Sequence, residues 1–342
     1  MIDCAMTHSV TLPDHTTFSI HNHETILAAA ARQDLHLPHS CQNGFCGQCK
    51  AELISGEISM GEHSGKALSL EEAAQGKILM CCTTAHSNLA INIPGYAVHQ
   101  GIPIITLPAR VHKLTFKHDV AILKLALPKA PLFSFYAGQH IDLLLPGHIN
   151  RCYSLANAPD DGSGMIELHI RKREHGLCSN MIFSDTPKVK EKSIVRIKGP
   201  LGAFALHAER KRPLIFLATG TGYAPVRSML MALIQAGYPY DVHVYLGARH
   251  AVDLYALEEA QALTGRLKNG RFTPVLSRPD AEWQGESGYI QAIAAQDYPD
   301  MRGHDVYACG SEAMVSAAQT LLTNQCNLPA EAFYADAFLA AA

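Results

Sequence analysis

Cysteines punctuate one short run, Cys41-Gln-Asn-Gly-Phe-Cys46-Gly-Gln-Cys49, and two more stand side by side at Cys81 and Cys82. No other feature restricts the fold as strongly. Two irons need four thiolates: three from one tight loop, and a fourth brought from a distant segment to close the cage. C-x4-C-x2-C with a remote fourth Cys is the spacing of [2Fe–2S] ligation. Gly44 and Gly47 leave room for backbone N–H groups to approach cluster sulfurs, and such bonds help set the potential. Zinc is the competing use of four cysteines, but its sites usually present two C-x2-C pairs and only one exists here.

The rest of the composition fits a large chain with reduced thiols. Its 342 residues suffice for two or three domains, and 48% apolar with 17% charged residues is a globular balance. A net charge of −3 favours neither nucleic acid nor an anionic membrane. No apolar run approaches the roughly 20 residues that span a bilayer. The start, MIDCAMTHSV, lacks the basic and apolar regions of a secretory signal. Ten cysteines, clustered or isolated within apparent core elements, point to metal-bound or free thiols in a reducing, cytoplasmic setting. The 19 His show no ligand spacing and read as surface or core imidazoles.

Pattern divides the chain into parts. Residues 1–94 hold short strands (HSVTLP, HTTFSI, LAINI) and two helices, ETILAAAARQ and LSLEEAAQG, the second with Ser69 as N-cap and Gly76 as stop. Residues 95–106 have a Pro- and Gly-rich linker composition. Over 107–208 the runs ARVHKLTF, VAILKLAL, HIDLLLP, RCYSL, MIELHIRK and SIVRIKG predict an antiparallel barrel. Over 209–342 strands such as RPLIFLAT and YDVHVYLGA alternate with helices starting near Tyr223, Leu254, Gly288 and Ser311, which predicts a parallel α/β sheet. In that last part LIFLAT runs into Gly220-Thr221-Gly222-Tyr-Ala-Pro225 and then a helix. Glycines between a strand and a helix let backbone N–H groups cradle a pyrophosphate.

The segments PHSCQNGFCGQCK, GPLGAF, ATGTGYAP, YACGSEAMV and FYADAF, with Arg151-Cys-Tyr153-Ser154, resemble those of the bacterial ferredoxin-fused reductases. That group includes the reductase components of phenol hydroxylase and of soluble methane and toluene monooxygenases, and CDP-6-deoxy-Δ3,4-glucoseen reductase. The resemblance covers nearly the full chain. It implies a β-grasp plant-type ferredoxin, an antiparallel FAD-binding β-barrel and an α/β nicotinamide-binding domain of ferredoxin–NADP reductase type, in that order. Gly76-Lys-Ile-Leu-Met-Cys81 resembles the family's G-x-x-L-x-C, which makes Cys81 the fourth ligand beside Cys41, Cys46 and Cys49.

The same resemblance assigns the other sites. In R-x-Y-S, Tyr153 stacks on the isoalloxazine, the Ser154 hydroxyl bonds near flavin N5, and Arg151 pairs with pyrophosphate. His169 and Arg171 end a strand beside the flavin, and Gly176-Leu-Cys178-Ser179 opens a helix whose N-terminus suits the diphosphate, with Cys178 packing as a small hydrophobe. Gly220, Thr221 and Gly222 cradle NADH; Cys309 and Gly310 lie beside the nicotinamide; Phe338 covers the flavin and gates access to it. A thiol at 309 positions the ring, because hydride transfer needs no nucleophile.

The implied activity is transfer of electrons from NADH through FAD and the cluster to a separate protein, with the chain monomeric. That acceptor is either an oxygenase component or a pyridoxamine-dependent sugar dehydratase. A non-catalytic iron–sulfur module that senses redox state or binds a partner is the alternative of a different class. NADH is expected over NADPH, because Asp253 adds negative charge near the 2′ position, although Arg249 pulls the other way. Cys82→Ser should keep iron, sulfide and visible absorbance, whereas Cys81→Ser should lose them; the reverse result moves the ligand by one residue.

Overall fold

The computed structural model describes every residue except 1–6, 34, 36, 40–43, 45, 46, 48, 66, 94–101, 147, 148, 175 and 339–342. The chain forms two compact units, Met1–Ile102 and Pro103–Ala342.

In the first unit β1 (Thr7–Thr11) and β2 (Thr17–His21) form a hairpin. Helix α1 (Ile26–Arg32) starts at Thr25, whose side chain accepts the Ala28 N–H and satisfies one orphan donor. It buries Ile26, Leu27, Ala29 and Ala30. Then come β3 (Lys50–Ser55), β4 (Ile58–Met60), α2 (Leu70–Ala74), β5 (Lys77–Leu79), β6 (Thr83–Ala85) and β7 (Leu89–Asn92). Five strands form one sheet in the order β2-β1-β7-β3-β5, and β4 pairs with β6. This is the β-grasp arrangement, one sheet packed against helix α1. Ser69 caps α2 as its position predicts, within a capping box completed by Glu72. Gly76 follows at φ +83°, a left-handed exit that a side chain would strain. Glu72 also holds Lys50 at 2.7 Å and Lys77 at 3.5 Å, which ties α2 to β3 and β5.

The second unit opens with an antiparallel sheet of β8 (Ile105–Lys117), β9 (Val120–Ala126), β10 (His140–Leu145), β11 (Ile149–Ser154) and β12 (Met165–Arg171), then helix α3 (Leu177–Phe183) and strand β13 (Ile194–Leu201). Its order is β11-β10-β13-β8-β9-β12, and a bridge between Leu155 and Leu168 brings the two edges together as a barrel. The interior is apolar, with Leu123, Leu125, Ile141, Leu143, Leu168 and Ile197 all buried.

A parallel sheet follows. Its elements are β14 (Leu214–Thr219), α4 (Tyr223–Gln235), β15 (Val242–Ala248), α5 (Leu257–Thr264), β16 (Gly270–Leu276), β17 (Glu286–Ser287), α6 (Ile290–Asp297), β18 (Asp305–Ser311), α7 (Glu312–Gln325) and β19 (Phe333–Phe338). The order is β17-β16-β15-β14-β18-β19. Strands β14, β15 and β18 are buried along almost their whole length, which is why they read as continuous apolar runs.

Barrel and parallel sheet meet at a polar seam. Glu167 on β12 accepts from His169 Nε2 at 2.9 Å and pairs with Lys124 at 3.3 Å and with Arg227 of α4 at 3.4 Å. The other nitrogen of His169 meets the Tyr255 hydroxyl at 2.7 Å. Burial alone would raise the Glu167 carboxyl; the His169 bond and the Arg227 and Lys124 charges together outweigh it and hold the group at about 2. That contribution to stability is complete above the ordinary carboxyl range near 4.5 and disappears as pH falls towards 2. Glu167→Gln at neutral pH leaves Arg227 short of a buried counter-charge and should cost about 3 kcal/mol. Urea unfolding followed through Trp283, the one tryptophan, measures this; an unchanged midpoint would mean that the seam contributes nothing.

Candidate functional site

Cys41 and Cys46 lie outside the described residues. The other two expected cluster ligands come together: Cys49 Sγ and Cys81 Sγ are 3.1 Å apart in the buried core of the first unit. Cys82 Sγ stands 3.5 Å from Cys81 Sγ. The Cys81 thiol is drawn down to about 6, first by the hydrogen bond from Cys49 and further by Cys82 and the Gly44 N–H, against the opposing effect of burial. A thiol that favours its thiolate, with a neighbour close enough to share a metal, suits iron ligation. Gly44 and Gly47 have φ of +80° and +74°. A Cβ on Gly44 would stand 2.8 Å from Cys82 Sγ, so glycine is required for this approach.

The second unit places the flavin segment at the end of β11. Arg151 is half-buried, and its guanidinium donates to the Asn150 carbonyl at 2.8 Å. The Tyr153 hydroxyl donates to Cys178 Sγ at 2.9 Å, which joins β11 to α3 and gives Cys178 its packing role. Ser154 is buried. Helix α3 has only seven residues. Ser179 is buried, and its oxygen accepts the Arg173 N–H at 2.8 Å, so the hydroxyl keeps only its proton to offer a phosphate. Gly176 is the N-cap and makes no side-chain cap bond.

The imidazole of His169 is wholly buried, with both nitrogens committed to Glu167 and Tyr255. Alternation along β12 turns Glu167, His169 and Arg171 outward to the seam, so both ring nitrogens of His169 face protein partners. Arg171 does reach the site. It pairs with Asp119 at 3.0 Å, and its Nη1 lies 3.3 Å from where a Cβ on Gly220 would stand.

The parallel sheet reverses direction between β14 and β18. The chain goes outward from β14 through β15 and β16, then returns to β18 on the other side of β14. Ligands of such sheets bind outside the carboxyl ends of the strands at this switch point. Gly220-Thr221-Gly222 follows β14 there, and Cys309-Gly310 lies near the end of β18. The two segments interlock through glycine. A Cβ on Gly222 would lie 2.2 Å from the Cys309 carbonyl oxygen, and one on Gly310 would lie 2.1 Å from Thr219 Oγ1. Gly220 and Gly310 adopt φ of +55° and +142°. Closely packed backbone, a half-buried Arg171 and the start of α4 together fit a bound pyrophosphate. Burial first, and Asp336 second, push the Cys309 thiol well up, which suits a packing group and not a nucleophile.

Phe338 ends β19, half-buried, in register with Ser311. Two residues before it, Asp336 pairs in register with Cys309. Within FYADAF the resemblance marks Phe338 and not Asp336. An acid among the apolar and aromatic residues of FYADAF, in a strand beside the nicotinamide segment, was the available signal. Asp253 caps the turn 251–253, accepting the His250 N–H at 3.3 Å.

This architecture defines a three-part electron-transfer reductase: a cysteine-loop module, a flavin barrel and a nucleotide domain. Comparison with known proteins agrees. Residues 10–86 match the 2Fe-2S iron-sulfur cluster binding domain, 110–206 the oxidoreductase FAD-binding domain, and 216–320 the oxidoreductase NAD-binding domain. The chain is 39% identical over 328 residues to the CDP-6-deoxy-L-threo-D-glycero-4-hexulose-3-dehydrase reductase of Yersinia pestis, covering 96% of this chain and 97% of that protein. It is 32% identical to the phenol 2-monooxygenase reductase component DmpP of Pseudomonas sp. (strain CF600), covering 93% and 90%. Among solved structures, the Amycolatopsis cytochrome P450 reductase GcoB superposes with a TM-score of 0.76 at 28% identity, covering 97% of this chain and 99% of that one. The chain therefore belongs to the ferredoxin-fused, FAD- and NAD-dependent reductases. Its cofactors are a [2Fe–2S] cluster, FAD and a nicotinamide dinucleotide, and it passes electrons from the nicotinamide to a separate protein. Among the described residues no helix is long and apolar enough to cross a membrane.

Burial pushes the Asp336 carboxyl up to about 6. A raised carboxyl keeps its proton in the folded state after the unfolded chain has lost it. Stability therefore falls as pH rises from the ordinary value of 3.8 through about 6, and the penalty is complete above that. Asp336→Asn should raise the thermal midpoint at pH 7 more than at pH 4.5. An equal effect at both would assign Asp336 an ordinary carboxyl.

Proposed function

We propose that Cys41, Cys46, Cys49 and Cys81 hold the cluster, that Arg151, Tyr153, Ser154, Arg171, Gly176 and Ser179 hold FAD, and that Gly220, Thr221, Gly222, Cys309 and Gly310 receive NADH. Residues 1–94, 107–208 and 209–342 are the corresponding domains, joined by the linker 95–106. The interlocked glycines at the sheet's switch point, with Arg171 beside them, carry this reading for the second unit. The 3.1 Å pair of Cys49 and Cys81 carries it for the first. When bound, the flavin takes up an electron pair as hydride and the cluster accepts electrons one at a time. The chain's own residues orient and exclude water: Ser154 presents a buried hydroxyl, Tyr153 and Phe338 offer rings for the flavin faces, and Cys309 packs against the nicotinamide.

The acceptor that the observations favour is a sugar dehydratase. Identity to the Yersinia dehydrase reductase is 39% over nearly the whole chain, against 32% for the phenol monooxygenase component. The chain acts as a monomer in the cytoplasm on this reading and prefers NADH. Anaerobic NADH should bleach the flavin absorbance of the purified protein and then reduce cytochrome c, with kcat/KM for NADH above that for NADPH. No bleaching by either nucleotide would reject the function, and a higher kcat/KM with NADPH would reject the nucleotide assignment alone. Reduction of a purified oxygenase component but not of a dehydratase would reverse the choice of acceptor.

A further inference from the structure

Helix α4 starts where the nucleotide loop ends, at Tyr223 directly after Gly222. Five residues beyond Gly222, Arg227 Nη1 donates to the Ala156 carbonyl at 2.7 Å. The next residue, Ser228, donates its hydroxyl to the Asn157 carbonyl at 2.6 Å. Ala156 and Asn157 follow Ser154 by two and three residues on the chain that carries the flavin segment. Two consecutive side chains of helix α4 thus hold two consecutive carbonyls of the segment that follows β11. We propose that this pair is a clamp that sets the spacing between flavin and nicotinamide, with Arg227 a positioning residue for hydride transfer. The proposal rests on the flavin and nucleotide sites assigned above.

Both sides of the clamp are rigid. Ala156, Asn157 and Ser228 are buried, so neither carbonyl can turn to water without losing its partner. Arg227 is fixed at a second point by Glu259, which accepts from Nε at 2.8 Å, and at a third by Glu167. Asn157 is itself held: its amide donates to the Met165 carbonyl at 3.1 Å, and its side-chain oxygen accepts the Glu167 N–H at 2.9 Å. Glu167 therefore touches both halves, through its main chain to Asn157 and through its carboxylate to Arg227. A planar guanidinium can serve a carbonyl and two carboxylates at once, which a lysine ammonium cannot do in the same geometry. Arg227 and Ser228 donate to the segment just beyond β11, so their effect is on placement and not on chemistry.

Arg227 also borders a cleft of about 210 Å³ shared with Glu167, Glu259 and Lys124. Truncation of the side chain would leave space open to that cleft, and a small guanidinium ion could enter it. This permits a test of position apart from folding. In Arg227→Ala holoprotein, stopped-flow reduction of the flavin at saturating NADH should slow roughly 10–100-fold, the loss a misplacement of about 1 Å produces. FAD content and the dissociation constant for NADH should stay near those of wild type. The charge-transfer absorbance of reduced flavin with NAD⁺ should weaken, because it depends on ring spacing. Millimolar guanidinium should restore both rate and absorbance, Arg227→Lys should lie between, and Ser228→Ala should shift both in the same direction. An unchanged limiting rate and spectrum in Arg227→Ala would overturn the clamp. So would a loss that appears only as weaker NADH binding or lower FAD content and that guanidinium does not reverse, since that is a merely structural role. Wild-type flavin that NADH does not bleach would overturn the site assignment itself, a failure distinguishable from that of the clamp.

Discussion

A carboxylate buried between two lobes is a liability unless cations reach it from both sides, and Glu167 meets that condition. Lys124 approaches from the neighbouring barrel strand and Arg227 from the first helix of the nucleotide domain, while the His169 ring donates a hydrogen bond from Glu167's own strand. Breaking such a set leaves an uncompensated charge, so separating α4 from the barrel here is costly. The arrangement also fixes direction. Arg227 can reach Glu167, Glu259 and the Ala156 carbonyl together only in one orientation of α4 against the barrel.

Close approach of backbone is the second constraint, and glycine is the means. Gly222 lies against the Cys309 carbonyl and Gly310 against Thr219, so the loop after β14 and the end of β18 form one surface at the switch point. Gly44 does the same beside Cys82 in the first unit. In each place a methyl group would overlap a neighbour by more than local adjustment can absorb. The cofactor loops are thus determined by what is missing from the side chains as much as by the cysteines and hydroxyls.

Much of this was legible in the sequence because it is local. The spacing of Cys41, Cys46 and Cys49, the strand–Gly–helix passage at 214–235, the Ser69 cap and the strand runs of the barrel all lie within windows of a few residues. The seam was not legible. Arg227 and Ala156 are 71 residues apart, and Tyr255 and His169 are 86 apart. No local pattern announces such pairs. The partners of His169 were hidden for the same reason: alternation shows that 167, 169 and 171 share a face of β12, but not what that face meets. Arg171, at the strand's end, meets the nucleotide loop; His169, two residues earlier, meets Tyr255. Short β3 to β6 were also missed as individual strands, since three to six residues of mixed burial carry little periodic signal.

The cores divide according to the chemistry. One apolar cluster contains Val120, Ala137 and Phe204 of the barrel together with Phe216, Tyr223, Met229 and Tyr307 of the nucleotide domain. Barrel and nucleotide domain therefore share a hydrophobic interior as well as the Glu167 seam. Hydride transfer moves a nucleus between two rings and depends on their separation to a fraction of an ångström, so the lobes that carry those rings gain from a common core. The cluster around Val10, Phe18, Ile26, Leu79 and Ile91 is closed within residues 10–93. Passing a single electron moves no nucleus between partners and forms no bond. The unit that performs it can be stable on its own interior, whereas the two lobes that exchange hydride are built as one body.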